Sequence, residues 1–184
     1  MNNEISKSQE RIAYLEHAYC IIQSELIPSS PLVEKIAFGF SFPSTKATGK
    51  NKRLGECHYS GTDAGEERFL ALSPYIWNDD VTVLATLAHE MLHAWLGAEA
   101  AHKKRFAVEA KRIGLEGPAR ATSPSLQFLD AVIVWRSILP SFPGGALLGE
   151  IREKKKNTSS NVFVCGCSPP VKVRIYTDEF HATC

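Results

Sequence analysis

Long apolar runs are missing from this chain of 184 residues: none approaches the roughly 20 residues that span a bilayer, and the opening Met1-Asn2-Asn3-Glu4-Ile5-Ser6-Lys7 holds no apolar core of a signal peptide. A cytoplasmic protein with no membrane partner is the expectation. Net charge is nearly absent as well. With 21 Lys and Arg against 20 Asp and Glu, a formal +1, no global field drives the molecule onto nucleic acid, so such binding requires a local patch. Cysteines are few and odd in number, 5, and Cys165, Cys167 and Cys184 crowd the last 20 positions. That pattern suits metal ligation in a reducing compartment better than a disulfide framework. What is present, 44% apolar and 9% aromatic residues, is an ordinary globular composition with room for one main domain and a small tail.

Periodicity organises the chain. Ile12, Leu15, Tyr19, Ile22 and Leu26 recur at helical spacing, with Ser6 and Gln9 as a capping box, Pro28 as the stop, and Cys20 expected as a small buried hydrophobe. Ile36, Phe38, Phe40 and Phe42 alternate as one face of a strand, and shorter strands are expected near 55–59 and 68–72, making a small sheet. The stretch 44–51 reads as a loop. Asp79 and Asp80 open a helix with an apolar stripe of Val83, Leu84, Leu87, Met91, Leu92 and Trp95 that ends at Gly97. A second helix runs from His102 to Ile113, with Phe106, Ala110 and Ile113 inward and Gly114 closing it. Ser123-Pro124 reads as the N-cap and first-turn proline of another, ending near Leu139. The domain therefore covers 6–139, a basic Pro/Gly/Ser linker 140–161, and a tail 162–184; no internal repeat is present.

The chemistry concentrates in His89-Glu90-Met91-Leu92-His93. Two histidines four residues apart stand one helical turn up the same face, so both rings reach one metal ion, while Glu90 projects beside them, close to a water on that ion. Zinc lowers the pKa of such a water and polarises a carbonyl, and an adjacent carboxylate moves the proton. Chance supplies only roughly 0.02 copies of the pattern at this chain's His and Glu content. The bland alternative is a satisfied core histidine pair, which has no need of a carboxylate between its members. A third protein ligand must follow the turn at Gly97; His102 leads, with Glu99 and Glu109 as alternatives. The metzincin spacing, a third His six residues after the second, is not met.

The segment Val83 to Ala121, with His-Glu-Met-Leu-His-Ala-Trp, His102, and Ile113-Gly114-Leu115-Glu116-Gly117, resembles the SprT-like family of zinc metallopeptidases, in the variety found in bacterial and phage members. The resemblance covers about residues 10 to 120. It implies an α+β fold, a compact zincin domain of the minigluzincin type with helices over a small sheet. It also implies His89, His93 and His102 as ligands of a catalytic zinc, Glu90 as the catalytic acid/base, and a protein or peptide substrate. The sequence departs from the family in Ala101, where Gly often precedes the third His, and in Lys103 and Lys104, where Gly-Pro is frequent. The eukaryotic relative Spartan is a DNA-dependent protease, which makes DNA a candidate partner.

A C-terminal zinc ribbon is common in such relatives, and Cys165, Cys167, His181 and Cys184 form a candidate structural zinc site, flanked by alternating Val171, Lys172, Val173, Arg174 and Ile175. Cys-x-Cys is tighter than the usual spacing, so the fourth ligand is either His181 or a cysteine beyond residue 184, and a metal-free ribbon is the alternative. Basic residues at Lys103, Lys104, Arg105, Lys111 and Arg112, and at Arg152 and Lys154 to Lys156, are most simply solvated faces, without the aromatics that would stack on bases. The leading function is zinc-dependent peptide hydrolysis. An inactive zinc scaffold that binds nucleic acid or protein through its ribbon and linker is the second reading, and hydrolysis of a non-peptide bond the third.

Overall fold

The computed structural model describes residues 6–28, 36–46, 52–59, 68–145 and 161–175. The chain divides into two compact units, 1–148 and 149–184. Among its described residues the first is mixed α+β, four α-helices with small sheets. Its elements in order are helix α1 (Lys7–Leu26), strands β1 (Ile36–Phe40), β2 (Gly55–His58) and β3 (Arg68–Leu72), helices α2 (Asp80–Leu96) and α3 (Lys104–Arg112), the short pair β4 (Leu115–Glu116) and β5 (Ser123–Pro124), and helix α4 (Leu126–Trp135). Among the described residues no helix is long and apolar enough to cross a membrane.

Local signals set the ends of these elements. Ser6 and Gln9 close the expected capping box at the start of α1, each side chain bonding the other's backbone N–H. Asp79 accepts from the N–H groups of Val81 and Thr82 at the start of α2, and Gly97, at φ 79, turns the chain out of it in a conformation that L side chains rarely adopt. The sheet has the order β1-β3-β2, with β1 parallel and β2 antiparallel to β3, leaving β2 at an edge. Helix α2 packs against β2 and β3 on one side and touches α1, α3 and α4 on others, so it is buried on most of its faces. The core gathers Leu84, Leu87 and Leu92 of α2, Tyr14, Leu15 and Ile22 of α1, Leu70 and Leu72 of β3, and Trp77, Phe106, Phe128 and Trp135.

Several expectations are corrected. Cys20 is exposed: the buried stripe of α1 runs through Tyr14, Leu15, Ala18 and Ile22, and Cys20 lies about 140° around the helix from Leu15. Strand β1 stops at Phe40, so Phe42 leaves the sheet face and is 49% exposed, its ring 5.3 Å from that of Tyr75. Ser123-Pro124 is not a helix start. Its backbone pairs with Leu115–Glu116, which moves the N-cap to Ser125, whose hydroxyl accepts from the Phe128 N–H. Helix α4 ends at Trp135, and Ile133 faces outward while Phe128, Val132 and Trp135 face the core. Residues 140–145, expected in a linker, lie on the first unit: Phe142 stacks on Trp77 with centroids 5.8 Å apart, Gly145 N–H donates to the Trp77 carbonyl at 2.7 Å, and Arg11 donates to the carbonyls of Pro143 and Gly145.

In the second unit, strands β6 (Asn161–Val164) and β7 (Lys172–Ile175) pair antiparallel, with Cys165 and Cys167 in the connection between them.

Candidate metal centre

Helix α2 carries His89 and His93 one turn apart, and both face the cleft between the edge strand β2 and the segment linking β4 to β5. After Gly97 the chain bends through Ala100 and Ala101 and brings His102 over them, just before α3 begins. Ala101 makes this bend at φ 39, in the left-handed region that favours glycine. Ala101 thus carries a backbone conformation that glycine takes most readily.

The His102 Nε2 atom lies 3.3 Å from His89 Nε2 and 3.1 Å from His93 Nε2, and the three candidate ligand atoms lie within 4.8 Å of one another. Tetrahedral ligation with Zn–N bonds of 2.0–2.1 Å separates ligand nitrogens by about 3.3 Å, a spacing that the two distances from His102 match. Imidazoles that carry their proton on Nδ1 aim their Nε2 lone pairs into this shared volume, an arrangement a cation stabilises. His89 Nδ1 lies 2.9 Å from the Thr122 hydroxyl, whose oxygen accepts a hydrogen bond from Nδ1–H when Nε2 serves as the ligand. Phe106 of α3 packs against all three rings, with centroids 4.8 Å from His89, 4.4 Å from His93 and 5.2 Å from His102. Its complete burial contributes on the order of 2 kcal/mol. The alternative ligands are elsewhere: Glu99 is exposed, and Glu109 is bonded to Arg112 Nε at 2.6 Å.

Burial and the neighbouring rings keep the triad neutral. His89 is pushed down to about 3, first by burial and then by His93 and His102, and His93 to about 4 by burial, His102 and Arg53. His102 is lowered in the same sense by burial, then by Arg120 and Arg53. Glu90 is 5% exposed and lines the same cleft, and burial pushes its carboxyl up to about 8, with Arg53 opposing and Glu56 adding to the rise. Strand β2 comes close enough that a Cβ on Gly55 would stand 2.8 Å from Glu90 Oε1 and 2.7 Å from Thr86 Cγ2, so this position admits only glycine without displacing the carboxylate. Cys57 and Tyr59 lie further along that wall, where burial raises the thiol to about 12 and raises the phenol as well. The cleft encloses about 620 Å³.

The structure thus brings His89, Glu90, His93 and His102 together, and three histidines are positioned to bind a metal ion. Thr122, Gly55 and the underpinning by Phe106 have no signal in the sequence spacing. In the tail, Cys165 Sγ accepts the Val171 N–H at 3.2 Å, and the Cys165 N–H donates to the Val171 carbonyl at 3.1 Å. His181 and Cys184 lie outside the described residues. Compared with known proteins, the chain matches no protein-family model, no curated protein and no solved structure.

Proposed function

We propose that this protein is a zinc-dependent peptidase of the SprT-like, zincin type. The observation that carries this reading is the coincidence, in one open cleft, of three imidazole nitrogens within 4.8 Å of one another with a buried carboxylate that is not among them. The donor set fits zinc, which takes three protein nitrogens and keeps a fourth position open when its role is catalytic. When bound, zinc supplies Lewis acidity, lowering the pKa of a water and polarising a substrate carbonyl.

The chain's own residues do the rest. His89, His93 and His102 hold the ion, Thr122 fixes the tautomer and plane of His89, and Phe106 supports the rings from beneath. Glu90 takes a proton from the attacking water and delivers it to the leaving amine nitrogen, a role for which its place beside the triad in the same cleft suits it. A closed structural site has no use for a buried carboxylate in that position, which weighs against the inert scaffold.

For the second unit we propose a zinc-ribbon-like hairpin in which Cys165 and Cys167 supply two ligands; the backbone N–H on Cys165 Sγ is an interaction that favours thiolate. DNA as a partner rests on the family resemblance alone, since Lys103, Lys104, Arg105 and Lys111 are exposed as a solvated face would be.

The test is degradation of an unfolded protein by wild type and by Glu90→Gln, with zinc content measured on both. The wild type cuts, and Glu90→Gln loses activity by about 10²–10⁴-fold while keeping its metal. Equal rates in the two proteins contradict the role given to Glu90, and no cleavage by either favours the scaffold.

A further inference from the structure

Among the described residues, the charged side chains on the cleft wall beyond the triad and Glu90 are Lys52, Arg53, Glu56 and Arg120. Two of the three cations are engaged. Arg53 is paired with Glu56 at 2.5 Å, and the Lys52 ammonium sits 4.6 Å from the centre of the Tyr75 ring. Glu56 is held below its ordinary value because hydrogen bonds from Ser44, together with Arg53, outweigh the effect of burial. Arg120 differs from both. It lies in the β4–β5 connection two residues before Thr122, is exposed on the cleft, and has no carboxylate of a described residue at ion-pair distance.

An unpaired guanidinium facing a site built to hold a cation weakens that site by repulsion. An anion brought by a ligand turns the same charge into attraction, and the planar fork of donors matches a carboxylate in two parallel hydrogen bonds. We infer that the cleft selects polypeptide segments carrying an acidic side chain beside the bond at the metal centre, with Arg120 as the specificity-determining residue. This rests on the peptidase reading. A nucleic-acid backbone is the less suited ligand, because it needs a track of unpaired cations along the groove, and here Arg53 and Lys52 are already occupied.

The experiment uses the full-length, zinc-loaded protein and two fluorescent peptides identical except for Glu or Gln at alternate positions. Binding is read by anisotropy in the Glu90→Gln background, so that no turnover intervenes, and cleavage of the same peptides by wild type is mapped by mass spectrometry. The Glu peptide binds about 10-fold more tightly than its Gln counterpart, a ratio within reach of one charge-assisted hydrogen-bond pair. Arg120→Gln brings the ratio to near one, Arg120→Lys keeps part of it, and Arg120→Glu reverses it, each with zinc content unchanged. Equal affinities for the two peptides, or a ratio that Arg120→Gln leaves intact, overturn the inference. So does a single-stranded oligonucleotide that displaces the Glu peptide through Arg120 and binds more tightly. Selective binding of a Glu peptide that wild type never cuts sinks the peptidase reading and leaves the acidic selectivity standing; cleavage of both peptides with equal affinity does the reverse.

Discussion

Thr122 is separated from His89 by 33 positions in sequence, yet its hydroxyl is the partner of the ring nitrogen that does not face the triad. A hydrogen bond of this kind sets which nitrogen carries the proton and holds the ring plane, so its loss loosens the ligand without removing it. Thr122→Val, close in shape but without the oxygen, is expected to weaken zinc affinity by about 10–100-fold, read by competition with a chelator, while Thr122→Ser keeps most of it. Unchanged affinity in the valine variant would show that Phe106 and the helix suffice to orient the ring. At this scale the sequence was informative where geometry is local. His89 and His93 follow from helical spacing, and His102 from the need for a ligand after a turn. Thr122 and Arg120 reach the cleft only because Leu115–Glu116 pairs with Ser123–Pro124 and throws the intervening loop over it, a contact no spacing rule encodes.

Among the elements, α2 is the one on which the others depend, and its N-terminus is tied to the end of α4. Arg136 donates from Nε and Nη2 to the two carboxylate oxygens of Asp80, at 2.6 and 2.7 Å. These hydrogen bonds hold the Asp80 carboxyl below the usual carboxylate range, against a smaller opposing effect of burial. A folded pKa depressed below the unfolded one contributes stability that is fully present above the unfolded value, near 3.9, and is lost as pH falls through the folded value. Since Arg136 is half exposed, the pair is worth about 0.5–1 kcal/mol. Urea denaturation of Arg136→Gln is therefore expected to show a deficit of that size at pH 7, shrinking towards zero as the pH drops below about 4. A deficit that persists unchanged at low pH points to lost packing instead of lost charge pairing. The capped helices α1 and α2 were legible because their caps are short-range chemistry. The start of α4 was not, because Pro124, a plausible first-turn residue by local preference, is drawn into backbone pairing with Leu115 and the cap passes to Ser125. Cys20 was misplaced for a related reason: its neighbours suggested a broad apolar face, and only the packing of Tyr14 and Ala18 shows where that face lies.

For the whole molecule, the histidines, Glu90, Thr122 and Arg120 all belong to the first of the two compact units, and the cysteine-bearing hairpin to the second. Among the described residues, the core beneath the candidate metal site is drawn from the first unit. Ending the chain after residue 148 is accordingly expected to leave a cooperatively folding protein that binds one zinc ion, with a melting temperature within a few degrees of the full chain. Loss of the metal on truncation would mean that the second unit contributes to the centre. Residues 140–145 carry the prolines and glycines of a linker, while Phe142 and the Arg11 bonds hold them to the core, contacts that composition does not encode.

The claim on which everything rests is that His89, His93 and His102 hold a single ion between them. It is tested most directly by zinc stoichiometry in a Cys165→Ser, Cys167→Ser background, which removes any thiolate contribution from the hairpin, with and without the further change His102→Ala. One tightly held ion per chain, lost or weakened by orders of magnitude on His102→Ala and unaffected by Glu99→Ala or Glu109→Ala, is the result expected. Full zinc retention in His102→Ala, or a parent protein that stays empty in the presence of added zinc, would contradict the account.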